Sequence, residues 1–118
     1  MNEHLRKLIK RHEAFSLIPY KCPAGYNTIG WGWNFDSNPL PDDVSEHMRE
    51  HGKITVEMAE RLLDISVKIM LADCRKLYPA FDLFSENRKN ALCDLILNVG
   101  YLTASQWSVK QLEAERTG

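Results

Sequence analysis

The sequence predicts an α+β fold in which a small β-sheet lobe lies beside a mainly helical lobe, with a cleft between them. One short segment alternates apolar and small residues with the period of a strand, whereas the segment before it and the long part after it repeat apolar residues with the period of a helix. Because the strand pattern is confined to one region, we expect a single domain over residues 1–118. Its sheet-bearing lobe would span about 15–52, and its helical lobe would consist of 1–14 and 53–118.

The first predicted element is a short helix that ends beside a glutamate. One face of this helix carries Leu5, Leu8, Ile9 and His12. Glu13 follows at the C-terminal end, where partial burial and the negative end of the helix dipole would both raise the pKa of a carboxyl group. A raised pKa suits a general acid at neutral pH. The alternative is a surface glutamate without a role.

Two extended segments joined by a turn come next. Residues 18–21 form a short run in which Pro19 favours an edge strand, and residues 22–25 carry turn-forming residues. We predict one strand over 26–33, with three apolar side chains on one face: Ile29, Trp31 and Trp33. The other face carries Thr28, Gly30 and Gly32. Glycines on one face leave room for a ligand to approach the backbone, so this face is predicted to form the floor of a cleft.

Loops and helices are predicted for the rest of the chain. Thr55 and Ser85 are N-cap residues in this prediction, Pro79 stops the long helix, and Gly100 stops the apolar central helix. The predicted segments are a loop at 34–41, a short helix at 42–51, a helix from 55 to before 79, a central helix from 85 to 100, and a last helix at 103–115.

Composition and charge exclude several classes of protein. Hydrophobic residues make up 44% and charged residues 26%, as in ordinary globular proteins, and the net charge of −1 gives no field that would attract nucleic acid or an anionic membrane. The three cysteines argue against a disulfide framework and have no metal-ligand spacing, so no metal or cofactor is expected. Cys74 and Cys93 are predicted to pack in the core. We expect neither a signal peptide nor a membrane-spanning segment.

Three residues on this scaffold match a known catalytic spacing. Eight residues separate Glu13 from Cys22, and five separate Cys22 from Thr28. This region resembles the active site of the phage-type lysozymes, glycoside hydrolases whose pattern is Glu, eight residues, Asp or Cys, five residues, Thr. The continuation through Asn34 and Asp36 resembles a branch of the family that carries Gly-x-Asn-x-Asp.

The resemblance implies a lysozyme-like fold and an endolysin that hydrolyses the β-1,4 bond between N-acetylmuramic acid and N-acetylglucosamine in bacterial peptidoglycan. Glu13 would be the general acid, and Cys22 and Thr28 would position the attacking water. The expected substrate-binding residues are Asn98, Gly30 and Gly32. The expected partner is peptidoglycan, reached from the host cytoplasm after release by a separate pore-forming protein. Neither nucleic-acid binding nor membrane insertion is expected.

Cysteine at the second position leaves the chemistry open. A thiol has an ordinary pKa of about 8.5, so activity would rise toward alkaline pH until Glu13 loses its proton. Lys21 would lower the thiol pKa. Direct attack of Cys22 on the sugar, with a covalent intermediate, is an alternative to water positioning. Pairing of Cys22 with His12 as a protease dyad lacks any supporting sequence context. Trp31 and Trp33 would stack on sugars or pack in the core.

The helical part departs from the family that the sequence resembles. The similarity covers residues from about 5 to 100, whereas the family normally has several tens of residues more after the central helix. Arg116 is the candidate for the C-terminal arginine that approaches the catalytic glutamate in the family. The alternative function is a non-catalytic lysozyme-like module that binds glycan or serves as a structural part of a phage particle. The chain would be a monomer, or a homodimer that covers the central helix.

Overall fold

Helices and one small sheet make up the described part of the protein, as the predicted α+β class requires. The computed structural model describes residues 2–99, with the side chains of 3–97. The predicted last helix at 103–115 and Arg116 lie outside these residues. In chain order the elements are α1 (Asn2–His12), β1 (Phe15–Lys21), β2 (Asn27–Trp31), β3 (Trp33–Asn34), α2 (Asp42–His51), α3 (Val56–Leu77), a 3-10 turn (Phe81–Leu83) and α4 (Glu86–Val99).

The three strands form an antiparallel sheet in the order β1-β2-β3. The prediction of one strand over 26–33 is wrong, because the chain turns back on itself between Ile29 and Trp33, where Gly30 and Gly32 adopt φ values of +66° and +71°. Trp33 pairs with Ile29 across the resulting hairpin, and directly opposite residues of an antiparallel pair share a face. The two side chains therefore lie on the same side of the sheet, as predicted, although the strand between them is broken.

The helix boundaries follow from local capping. The Thr55 hydroxyl accepts a hydrogen bond from the Met58 N–H at 3.1 Å, which confirms Thr55 as the N-cap of α3. The Ser85 hydroxyl accepts one from the Arg88 N–H at 3.3 Å at the start of α4. Gly52 ends α2 with a φ of +69°, and its N–H bonds the Met48 carbonyl at 2.7 Å.

The described chain groups into two compact units, Ile9–Ser66 and a second unit made of 2–8 and 67–99. The first unit contains the sheet, α2 and the start of α3. Its buried core consists of Ile29, Trp33, Val44, Ile54, Ala59 and Leu62. Full burial of a leucine or isoleucine side chain contributes about 1.5–3 kcal/mol to the free energy of unfolding. This cluster therefore stabilises the packing of the helices against the sheet.

The second unit has its own apolar core. Its buried residues are Leu5, Leu8, Val67, Cys74, Tyr78, Phe81, Leu92, Cys93 and Ile96. The sulfur atoms of Cys74 and Cys93 lie 3.5 Å apart, and both thiols are free and buried, in agreement with the predicted core packing. Their hydrogen bond and burial raise the pKa of the Cys74 thiol far above its ordinary value. No helix in residues 2–99 combines the length and the apolar character needed to cross a membrane.

Candidate active site

Glu13 lies directly after α1 and packs against the backbone of the sheet. Its N–H still donates to the Ile9 carbonyl at 2.9 Å, which fixes the start of the side chain at the helix end. A Cβ atom built on Gly32 would lie 2.6 Å from Oε2 and 2.7 Å from Cδ of Glu13. Because real Cβ atoms essentially never approach other atoms within 3.0 Å, the carboxyl group occupies space that only a glycine leaves free.

This position changes the acidity of Glu13. The residue as a whole is exposed, but partial burial of its carboxyl group raises the pKa, and the neighbouring His12 lowers it by a smaller amount. The sequence-based expectation of a raised pKa is confirmed, with burial as its main cause. A carboxyl group with a raised pKa keeps its proton closer to neutral pH, as proton donation requires.

Cys22 lies in a tight turn between β1 and β2. The Cys22 N–H donates to the Tyr26 carbonyl at 3.0 Å, and the Gly25 N–H donates to the Cys22 carbonyl at 2.8 Å. Gly25 has a φ of +88°, a conformation that glycine adopts at little cost. These two hydrogen bonds close the turn, which holds the half-buried Cys22 side chain in place.

The same turn lowers the pKa of the Cys22 thiol. The largest contribution is the hydrogen bond from the Tyr26 N–H, and further contributions come from the N–H groups of Ala24 and Gly25 and from the Thr28 hydroxyl. Partial loss of hydration opposes them. The lowered pKa therefore follows from hydrogen bonds within the turn rather than from the charge of Lys21 that the sequence suggested.

Thr28 connects the turn with the sheet. It is 2% exposed, and its hydroxyl donates to the Tyr26 carbonyl at 3.0 Å. The same hydroxyl also lies within hydrogen-bonding reach of the Cys22 sulfur. Because a hydroxyl has a single proton, Thr28 donates either to the carbonyl or to an ionised Cys22. Ionisation of the thiol would therefore redirect the Thr28 proton.

The predicted substrate-binding residues occupy different surroundings. Gly30 is buried, and a Cβ atom built on it would lie 3.7 Å from the Ala59 Cβ, so Gly30 faces the core beside α3. Gly32 lies beneath the Glu13 carboxyl group. Asn98 belongs to α4, and its side chain lies outside the described side chains. Substrate contacts of these three residues stay predictions.

Tyr20 is a site residue that the sequence analysis missed. It lies directly opposite Thr28 in the β1–β2 pair, so the two side chains share a face of the sheet. Burial raises the pKa of the Tyr20 phenol, and the negative charges of Glu13 and Cys22 raise it further. Tyr20 therefore lies within electrostatic reach of both groups and stays a neutral hydroxyl at neutral pH. Its position two residues before Cys22 in an extended segment was a usable signal.

Asn34 and Asp36 hold the end of the hairpin. The Asp36 carboxylate accepts hydrogen bonds from the Asn27 N–H at 2.7 Å and from the Asn27 side-chain amide at 3.1 Å. The Asn34 side chain accepts bonds from the N–H groups of Asp36 at 3.0 Å and Ser37 at 3.1 Å. The Gly-x-Asn-x-Asp segment thus fixes the hairpin that contains Gly32. Within residues 2–99, no group of three or more His, Cys, Asp or Glu side chains is placed to hold a metal ion.

Comparisons with known proteins identify the family of this chain. The family model for phage lysozyme matches residues 10–117. An endolysin from Acyrthosiphon pisum secondary endosymbiont phage 1 is 28% identical over 94 residues, which cover 79% of this chain and 55% of the endolysin. The chain therefore spans about half the length of this relative.

The contact between Glu13 and Gly32 predicts the effect of adding one methyl group. Gly32→Ala should displace the flexible carboxyl group into solvent and so return the pKa of Glu13 toward its ordinary value. The carboxyl carbon of Glu13, titrated by NMR, measures this change. Gly52→Ala is the matched control, because Gly52 has nearly the same φ of +69° and no atom within 4 Å of the added carbon. Both variants should lose about 1–2 kcal/mol of unfolding free energy from backbone strain. An unchanged Glu13 pKa in Gly32→Ala would contradict the contact.

Proposed function

Because this chain belongs to the phage lysozyme family, we propose that it is an endolysin that hydrolyses the β-1,4 bond between N-acetylmuramic acid and N-acetylglucosamine in peptidoglycan. One observation carries the proposal. A carboxyl group with a raised pKa and a thiol with a lowered pKa lie in the same unit, and both are close enough to Tyr20 to raise the pKa of its phenol. Such a pair provides an acid and a base for glycoside hydrolysis.

Each group has one task in the proposed reaction. Glu13 donates its proton to the glycosidic oxygen as the bond to the anomeric carbon breaks. A water molecule adds its oxygen to that carbon and gives a proton to the Cys22 thiolate. The Thr28 hydroxyl, already bonded within the turn, orients the water. Attack by water on the face opposite the leaving group would invert the anomeric carbon.

Tyr20 completes this arrangement as a neutral donor. Its pKa is raised, so the phenol keeps its proton while Cys22 is ionised and while Glu13 becomes ionised during the reaction. A neutral O–H near a developing carboxylate stabilises the charge without repelling it. We assign Tyr20 this stabilising role, alongside Thr28 on the same face of the sheet.

The proposed cellular setting is the one expected of an endolysin. We propose that the protein accumulates in the host cytoplasm and acts on the cell wall after a separate protein has opened the membrane. Its substrate would be the glycan strand of peptidoglycan. The alternative is a lysozyme-like module that binds this glycan without cleaving it, and the first experiment below separates the two.

Wild type should clear a suspension of purified peptidoglycan, and Glu13→Gln should lose at least about 99% of that rate, because the amide has no proton to donate. Borohydride reduction of the products should yield muramitol rather than glucosaminitol, which identifies the bond that is cleaved. A co-sedimentation assay should show that Glu13→Gln still binds the insoluble wall. Binding by wild type without any clearing would identify the non-catalytic module and overturn the hydrolase.

The pH–rate profile tests the pairing of a protonated Glu13 with an ionised Cys22. Because the ordinary pKa of a thiol lies above that of a carboxyl group, the rate of wild type should rise up to the pKa of Glu13, stay level, and fall above the pKa of Cys22. The raised pKa of Glu13 and the lowered pKa of Cys22 bring these two limbs closer together. Cys22→Asp should move the alkaline limb down by several pH units, to the pKa of Glu13, and keep or raise the maximal rate. Cys22→Ala should lose most activity. Identical alkaline limbs in wild type and Cys22→Asp would contradict a thiolate base.

Tyr20→Phe should lower kcat about tenfold, as expected for loss of one hydrogen bond made in the transition state, and it should leave KM within about twofold. The rate of Cys22 alkylation as a function of pH should give an unchanged thiol pKa, because the turn is intact. Tyr26→Phe is the matched control, since the Tyr26 side chain is 47% exposed. Equal kcat values in Tyr20→Phe and wild type would remove Tyr20 from the reaction.

A further inference from the structure

We propose that Trp31 is the positioning residue for Glu13, because its ring holds the chain on both sides of that glutamate. Lys10 lies three residues before Glu13 and Phe15 lies two residues after it, and both contact the Trp31 ring. The Lys10 Nζ lies 4.5 Å from the ring centroid, and the Phe15 ring lies 4.3 Å away at an angle of 37°. The inference rests on the proposed role of Glu13 as the acid.

Lys10 is itself fixed by a second contact. Its ammonium group forms an ion pair of 3.0 Å with Glu60 in α3, and the two side chains are 39% and 34% exposed. An ammonium group above the face of an indole ring is attracted by the electron density of the ring. Lys10 therefore ties the last turn of α1 to β2 and to α3 at the same time.

Phe15 is fixed by the sheet. It begins β1 and lies directly opposite Trp31 in the antiparallel pair, which places the two rings on one face. Phe15 is 45% exposed, so the protein surrounds only part of its ring. The contact with Trp31 therefore contributes much of what holds the ring in place. Trp31 in turn packs against the core cluster of the Ile9–Ser66 unit, which keeps its ring from moving.

These contacts explain why the ring matters for Glu13. Gly32 follows Trp31 in the chain and supports the Glu13 carboxyl group. The segment 10–15 is therefore held at two neighbouring residues, by the ring of Trp31 at the end of β2 and by the backbone of Gly32 in the turn that follows. A displacement of about 1 Å at a catalytic group can cost about a hundredfold in rate. Since Lys10 and Phe15 contact the Trp31 ring and the core holds it, its surroundings favour positioning over stacking on a sugar.

Phe15→Ala tests the inference without changing any charge. It should lower kcat about tenfold with KM within about twofold, and it should move the Glu13 pKa, measured by NMR, toward its ordinary value. With Phe15→Tyr, kcat should be within about twofold of wild type, and the Glu13 pKa should be within about 0.3 of the wild-type value. Ile18→Ala is the control on the same strand, because Ile18 is 61% exposed, and it should leave both quantities unchanged.

Lys10→Met tests the other side of the glutamate. It should lower kcat about fivefold to tenfold, and Lys10→Arg should restore most of the rate. Lys7→Met is the control, because it removes a charge from an exposed position of the same helix, and it should match wild type. Wild-type kcat and an unmoved Glu13 pKa in both Phe15→Ala and Lys10→Met would overturn the inference. Because the NMR titration needs no turnover, its result stands even if wild type fails to cleave peptidoglycan, an outcome that would overturn only the hydrolase.

Discussion

The candidate site depends on the backbone conformation of Gly32. Its φ of +71° ends β2, turns the chain into β3, and leaves the space that the Glu13 carboxyl group fills. A residue with a side chain would strain this turn and occupy that space. The same glycine is therefore needed both to form the hairpin and to place the Glu13 carboxyl group. The partial burial that raises the Glu13 pKa arises in the same unit. The acidity of the glutamate therefore depends on the geometry of the hairpin.

The turn between β1 and β2 has the same double role for the thiol. Its closure aligns several backbone N–H groups with the Cys22 sulfur, and these hydrogen bonds lower the thiol pKa. Thr28 contributes its hydroxyl from the neighbouring strand and is buried, so it is held in one place. The lowered pKa of the Cys22 thiol requires no nearby cation. The hydrogen bonds that stabilise the turn also stabilise the thiolate, so a change that loosens the turn would weaken both.

Local signals predicted part of this structure, and tertiary contacts decided the rest. The caps at Thr55 and Ser85 and the position of Glu13 after a short helix were predictable because they involve neighbours in sequence. The break at Gly32 was not, because Gly30 and Gly32 look alike in an alternating segment, and only their contacts with α3 or with Glu13 distinguish them. Tyr20 was missed because its place opposite Thr28 requires the strand register, which shifts irregularly between Ser16 and Tyr20.

The two pKa shifts matter most when they are considered together. With ordinary values of about 4.3 for glutamate and 8.5 for cysteine, the form with a protonated acid and an ionised thiol would reach a population on the order of 10⁻⁴ at any pH. Each unit by which the two values approach one another raises that population about tenfold. Burial moves Glu13 up and the turn moves Cys22 down, so two independent parts of the Ile9–Ser66 unit narrow the gap. An aspartate at this position would need no such help, because its pKa already lies below that of the acid. The hydrogen bonds around Cys22 are therefore the feature that makes cysteine a workable base in the proposed reaction.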